Sequence, residues 1–467
     1  MESDWTSLIP PLLAILLAFV TREAVLSLAV ACVAGVLLMG EGLVGVSGLV
    51  TRSLGTEGFI RICAIELCIG VLVAFFQLSG AVAMFTARSE RWATSRKKVG
   101  ILGWFLGVFI FFSDYFSPLF VGPTIRGLTD KYRISREKLA YICDSTSAPL
   151  TAMIPITGWA AYICGLASQS EWVGGTEQAI GLFIQAIPYN WYCFLAVLMV
   201  LVVVSGIVPD FGAMKRAERR AIETGKVLRD GAVPMMGKEL TELESASSSS
   251  ARTNLFLNFL LPVLIIVVTN TLTFHYLNSP KVLESFMLAC TVLGVVLWLQ
   301  KVGTLSGIMQ AAYAGMKGVL PAVIILALAF CINTVSREMG TAKYVVSLAD
   351  GRLAPALLPA AMFVISAFVS FATGTAWGTY AIMIPIGLPL AYEFSGGEAG
   401  PLVLGSFAAV IGGGVFGDHC SPLSDTTVLS SLGSACDHID HVRTQLPYAL
   451  VVAFVAVCLY LVVGMSS

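Results

Sequence analysis

The run Gly417-Asp418-His419-Cys420-Ser421-Pro422-Leu423-Ser424-Asp425-Thr426-Thr427 sets two carboxylates, four hydroxyls and a helix-breaking proline between the apolar stretches Leu402 to Phe416 and Val428 to Leu432. A charge at bilayer depth costs roughly 2.5–3.5 kcal/mol on insertion scales, so the pattern implies a polar cavity or a bound cation. Asp144-Ser145-Thr146-Ser147-Ala148-Pro149 repeats the theme, with an acid, a serine three positions on and a proline soon after. Two further polar interruptions, Ser113-Asp114-Tyr115-Phe116-Ser117-Pro118 and Thr373-Gly374-Thr375-Ala376-Trp377-Gly378-Thr379, have the character of hairpin tips. Unwinding a helix frees carbonyls, and Asp, Ser and Thr add hard oxygens, which together suit a small alkali cation.

Asp418 and Asp425 are accordingly assigned to competition between a cation and a proton, with Ser421, Ser424, Thr426 and Thr427 as oxygen ligands or supports of the break. Asp144, Ser145, Thr146 and Ser147 supply the symmetry-related contribution, so that Na+ is expected at Asp418, Asp425 and Asp144. Asp114 and Ser117 at one tip, with Thr373 and Thr375 at the other, would close the site. The plainer alternative is that the hydroxyls only satisfy backbone freed by Pro118, Pro149 and Pro422, but backbone repair does not need four aspartates. Neighbouring carboxylates cannot all stay ionised without a cation or protons, and that competition is a route to exchange. Glu66 either joins this site or relays protons, or else pairs with Arg61 or Lys317; His419 is either a pH sensor or a structural hydrogen-bonding group. Asn333 and Thr334 are weaker candidates, better suited to capping or packing.

The elements that must hold these residues are helices in a membrane. The chain of 467 residues is 57% hydrophobic and 12% charged, more apolar than one soluble core requires. A net charge of −1 argues against nucleic-acid binding. Apolar runs beginning near Leu8, Ala24, Phe59, Leu139, Gly181, Asn254, Val282, Leu305, Leu402 and Gln445 predict about ten transmembrane helices. Two interrupted stretches, Gly100 to Arg126 and Pro355 to Tyr392, read as re-entrant hairpins. Basic residues flank the first on both sides, Arg88 to Lys98 before it and Arg126 to Lys138 after it, which puts both its ends in the cytoplasm.

The expected fold is thus an all-α polytopic membrane protein containing two inverted repeats. N-terminal helices occupy 1–58, and a first repeat spans 59–208 with its hairpin at 100–126 and a broken helix at 139–163. A cytoplasmic linker follows at 209–252, read as a plain connector that ends in the serine run Ser245 to Ser250. Connecting helices fill 253–303, and a second repeat spans 304–467 with its hairpin at 355–392 and a broken helix at 402–432. Paired broken helices in opposite orientation recur in secondary transporters, with the site near the midplane. The acidic start, Met1-Glu2-Ser3-Asp4-Trp5, gives no reason to expect a removable signal. Cysteines such as Cys32, Cys63, Cys68 and Cys193 fall in apolar runs and read as packing residues.

The 417–427 motif closely resembles the signature of NhaC-type Na+/H+ antiporters, within the ion transporter superfamily, and the likeness runs from about Phe59 to Val463. The resemblance implies sodium–proton exchange, a multi-pass protein of the bacterial inner membrane, scaffold and transport domains, elevator-like movement and often a homodimer. It implies no cofactor beyond the transported Na+ and H+. The family also includes exchangers of small organic substrates, such as malate/lactate antiporters, and a coupled amino acid or hydroxy-acid exchanger is the alternative. An anionic cargo would be repelled by Asp114 and Asp418, whereas a cation or an amine would be favoured. An enzyme reading fails: Pro355-Ala356-Leu357 resembles a tripeptide of intramembrane aspartyl proteases, but Val415-Phe416-Gly417 before Asp418 lacks their Gly-x-Gly-Asp. Gly412-Gly413-Gly414 lacks the lysine of a phosphate loop and fits close helix packing instead.

Overall fold

Capping residues and breakers divide the apolar runs into helices, and in the computed structural model the regular elements among the described residues are helical, apart from one β-bridge between Pro234 and Asp437. The structure describes residues 4–21, 23–89, 91–111, 114–155, 157–168, 170, 172–235, 254–277, 281–341, 344 and 354–467. Ser113 and the serine run lie outside them. The chain opens with α1 (Ile9–Thr21), α2 (Ala24–Leu38), α3 (Gly45–Leu54), α4 (Glu57–Leu78) and α5 (Ala81–Ser89). The first interrupted stretch is a hairpin of α6 (Arg96–Phe109) and α7 (Phe116–Lys131). The first broken helix comprises α8 (Arg136–Ser145), one turn α9 (Ala148–Thr151) and α10 (Gly158–Ala167); α11 (Thr176–Ala186) and α12 (Trp191–Val204) follow.

The linker contains α13 (Gly212–Thr224), after which come α14 (Leu261–Leu277), α15 (Val282–Leu299) and the 34-residue α16 (Leu305–Glu338), bent by 42° between Leu320 and Val323. The second hairpin pairs α17 (Leu358–Thr373) with α18 (Ala376–Phe394), turning at Gly374, whose φ of 72° suits glycine. The second broken helix is α19 (Pro401–Cys420) and α20 (Asp425–Ser434), and α21 (His438–Met465) ends the chain. The last helix starts seven residues before Gln445, because the Asp437 side chain caps it by accepting from Asp440 N.

This is an all-α polytopic membrane protein. Six described helices are long and apolar enough to cross a bilayer, or eight when each bent pair counts as one span. The sequence offers more apolar runs than that because α1 and α2 have only 13 and 15 residues, while the run at Leu139 is cut into helices of ten residues or fewer.

Two large apolar cores divide the molecule. One gathers side chains of α2, α4 and α14 to α16 with α7, α8 and α20; the other gathers those of α10 to α12 with α17 to α19 and α21. Each broken helix therefore has one half in each core: Leu139 and Cys143 against Trp159 and Ile163 in the first, Val428 and Leu432 against Phe407 and Val415 in the second. Both breaks lie where the cores meet.

The linker is more than a plain connector over its described part. Arg220 holds the buried Glu137 at the start of α8 through two bonds of 2.9 and 3.0 Å, and Lys138 pairs with Asp210 at 2.8 Å. Arg229 reaches Asp440 at 2.7 Å, while Met235 N donates to Cys436 O just before α21. The linker thus fastens the start of the first broken helix to the end of the second.

Candidate ion site at the second helix break

Pro422 cannot continue the α19 ladder, and Ser421 and Ser424 are extended on either side of it, so four residues separate the two half-helices. The C-terminal turn of α19 carries partial negative charge from its carbonyls, and Asp418 sits in that turn, an arrangement that favours a cation. Asp425 opens α20, where the positive helix end favours its carboxylate, and Thr426 N donates to Asp425 Oδ1 at 2.8 Å.

Asp418 is buried and its carboxylate gathers hydroxyls: Ser424 donates at 2.9 Å and Thr426 at 3.3 Å, with 3.1 Å between the two hydroxyl oxygens. Thr426 stands between Asp418 and Asp425, its hydroxyl bonding the first carboxylate and its N–H the second. The tip of the first hairpin enters here, since Tyr115 donates its hydroxyl to Asp425 Oδ2 at 2.9 Å. Thr373, Gly374 and Thr375 of the second tip line a cavity of about 490 Å3 together with Asp425, Tyr115, Arg61, Phe330, Asn333 and Trp377.

The hydroxyls divide by what they touch. Ser421 donates to Phe371 O, Thr427 to Asp418 O, Thr146 to Ile142 O, Ser147 to Asp144 O and Thr373 to Val369 O. These five bond backbone carbonyls, and only that of Thr427 bonds one freed by a proline, since Pro422 leaves Asp418 O without its helical partner. Ser424 and Thr426 face a carboxylate instead, while Ser117 Oγ and Ser145 Oγ are buried with no hydrogen-bond partner.

Asp144 occupies a neighbouring position. Its Oδ2 accepts from Gln445 Nε2 at 2.9 Å, with His441 Nε2 3.5 Å away and Thr427 and Ser430 beside it. Asp114 Oδ2 accepts from Trp159 Nε1 at 3.0 Å. Among the described residues no three acidic, thiol or imidazole groups converge as a metal site, so hydroxyls rather than a third carboxylate would complete a shell around Asp418. Freed carbonyls are partly used already: His419 O accepts from Gln445, and Pro422 O is paired with His438 Nε2 at 3.0 Å. Each keeps a second lone pair.

The His419 ring bonds Tyr192 OH and adjoins Gln445, away from Asp418. Arg61 pairs with Glu57 and Glu284, and Lys317 is exposed, so neither is the partner of Glu66. Tyr115, Trp159, Gln445, His438 and His441 were not assigned to the site by sequence reasoning. The spacing of His438, His441 and Gln445, three and then four residues, marks one polar face of a helix and was the available signal.

The profile described as the Na+/H+ antiporter family matches residues 151–465. An uncharacterized protein of Haemophilus influenzae is 32% identical over 100% of this chain and 92% of its own length. The malate-2H(+)/Na(+)-lactate antiporter of Bacillus subtilis is 39% identical over 24% of this chain and 22% of its own. The arginine/ornithine antiporter ArcD of Halobacterium salinarum is 33% identical over 32% and 30% respectively.

Proposed function

The chain belongs to the Na+/H+ antiporter family, and on that premise we propose that it exchanges Na+ for H+ at the break between α19 and α20. The observation that carries the reading is the convergence of the Ser424 and Thr426 hydroxyls on the buried Asp418 carboxylate beside Asp425. These groups are all hard oxygens. A hydroxyl that donates to Asp418 offers its lone pairs to a cation by turning about its Cβ–Oγ bond, so the same groups serve the empty and the cation-loaded states. Loading Na+ then opposes holding the exchanged proton, and each expels the other.

The chain order of hairpin, broken helix and closing helix occurs twice, which supports reading 59–208 and 304–467 as inverted repeats about a midplane site. Alternating access follows if the two hairpin tips open and close opposite sides. Residence in the cell membrane and assembly as a homodimer complete the proposal.

Tyr115 ties one tip to the site. Tyr115→Phe leaves Asp425 free to swing, and a hydrogen bond to a charged acceptor is worth about 1.5 kcal/mol or more. We expect the half-saturating Na+ concentration to rise by about tenfold with little change in maximal rate; an unchanged value would detach the tip from ion binding.

The test of the function is proton flux in sealed proteoliposomes, with a pH dye inside and Na+, Li+, K+ or choline added outside. A response to Na+ or Li+ and none to choline supports cation–proton exchange. The second reading is a coupled exchanger of a small organic solute. The cavity of about 490 Å3 favours it, being within the range of small-molecule sites and offering Arg61, Asn333 and Trp377 besides Asp425. Flux that appears only when malate, lactate or an amino acid is supplied would select that reading.

A further inference from the structure

Glu66 lies in the middle of α4 and is 1% exposed, yet neither of its carboxylate oxygens has a hydrogen-bond partner. Leaving a carboxylate buried without donor or counter-charge is costly, so such a group is retained where it works or holds a proton. Its position is fixed. One turn further on, a Cβ on Gly70 would lie 2.5 Å from Gly315 O, and one on Gly315 would lie 2.2 Å from Gly70 O. Helices α4 and α16 therefore meet backbone to backbone and hold the glutamate rigidly.

The charged surroundings of Glu66 are simple. On its own helix Cys63 is one turn away, and the carboxylate of the packed elements that shares its neighbourhood is Asp425 of α20. Arg61 is engaged by Glu57 and Glu284, the Cys290 thiol of α15 donates to the backbone carbonyl of Cys68, and Lys317 of α16 faces outward. No hydrogen bond joins Glu66 to Asp425, while Ile65 and Asp425 both line the cavity beside it.

We propose that the exchanged proton is carried by Glu66, on a different helix from the carboxylates that take the cation. The inference rests on the exchange reading above and adds a division of labour to it. While Asp425 is bare and negative, Glu66 holds its proton. Na+ at Asp425 cancels that charge, the Glu66 O–H bond breaks and the proton passes to water in the cavity; when Na+ leaves, a proton from water rejoins the carboxylate. Electrostatic coupling across the gap between α4 and α20 links the two events without a shared ligand.

The test separates Na+ binding from proton coupling in proteoliposomes. Uptake of radiolabelled Na+ driven by a pH gradient needs both, whereas exchange of labelled for unlabelled Na+ at equal pH needs only the cation site. Glu66→Gln should lower gradient-driven uptake by roughly a hundredfold, the low end for deleting a proton-transferring side chain, and leave Na+/Na+ exchange near the wild-type rate. Glu66→Asp should restore part of the coupled uptake. Full coupled uptake in Glu66→Gln overturns the proposal, and so does loss of both activities, which would put Glu66 in the cation site or in the fold. A wild-type protein without Na+-dependent proton movement would strike the exchange reading itself, and this proposal with it.

Discussion

Asp418→Asn is expected to abolish Na+-dependent proton movement while the protein still inserts and folds. The substitution keeps size and shape, and an amide oxygen still accepts the hydrogen bond that Ser424 donates at 2.9 Å. What disappears is the charge. Removing one member of a desolvated charge pair costs about 2–5 kcal/mol, so cation affinity should fall by at least roughly thirtyfold. Ser421→Ala is the instructive contrast, since that hydroxyl donates to Phe371 O and touches no carboxylate. It should unsettle the contact between α17 and the break without removing a ligand. The measurement is proton flux in proteoliposomes set beside thermal unfolding in detergent. Exchange retained by a folded Asp418→Asn protein would remove this carboxylate from the ion site.

Membrane fold and helix breaks were readable because they follow from local chemistry. Pro422 and the extended residues around it end α19 wherever they fall in space, and Gly374 marks the tip of the second hairpin by the positive φ it adopts. Residue type also pointed to the Asp418 cluster, because Ser424 and Thr426 lie six and eight positions from the acid they face. What was not readable depends on contacts far apart in sequence. Tyr115 meets Asp425 across 310 positions, and Gln445 meets Asp144 across 301. No local rule brings those pairs together. The same limit hid the linker's role: it read as a plain connector, but Arg220 is committed to Glu137 across 83 positions. Glu66 stayed ambiguous for the opposite reason. A sequence supplies nearby cations such as Arg61, and only the fold assigns that arginine to Glu57 and Glu284 instead.

The second large effect is expected at a residue with no side chain to offer the ion, in Gly417→Ala. A Cβ there would lie 2.2 Å from Phe371 N and 2.5 Å from Ser370 Cβ. One helical turn earlier, a Cβ on Gly413 would lie 2.4 Å from Phe363 O. The glycines at 413 and 417 thus let α19 rest directly on the backbone of α17, and backbone atoms cannot swing aside as a flexible side chain does. Overpacking a tight core costs about 1–3 kcal/mol. More consequential for transport, the helix can be relieved only by moving away from α17, which carries Asp418 with it, and a misplacement of about 1 Å can cost on the order of a hundredfold in a positioned site. Gly417→Ala should therefore lower the detergent unfolding temperature and the exchange rate together. Gly181→Ala supplies the control: nothing lies within 4 Å of a Cβ built there, and alanine inside a helix is favoured over glycine by roughly 0.5–1 kcal/mol. If Gly417→Ala proved as stable and as active as Gly181→Ala, the close seating of α19 on the second hairpin would not be what holds Asp418 in place.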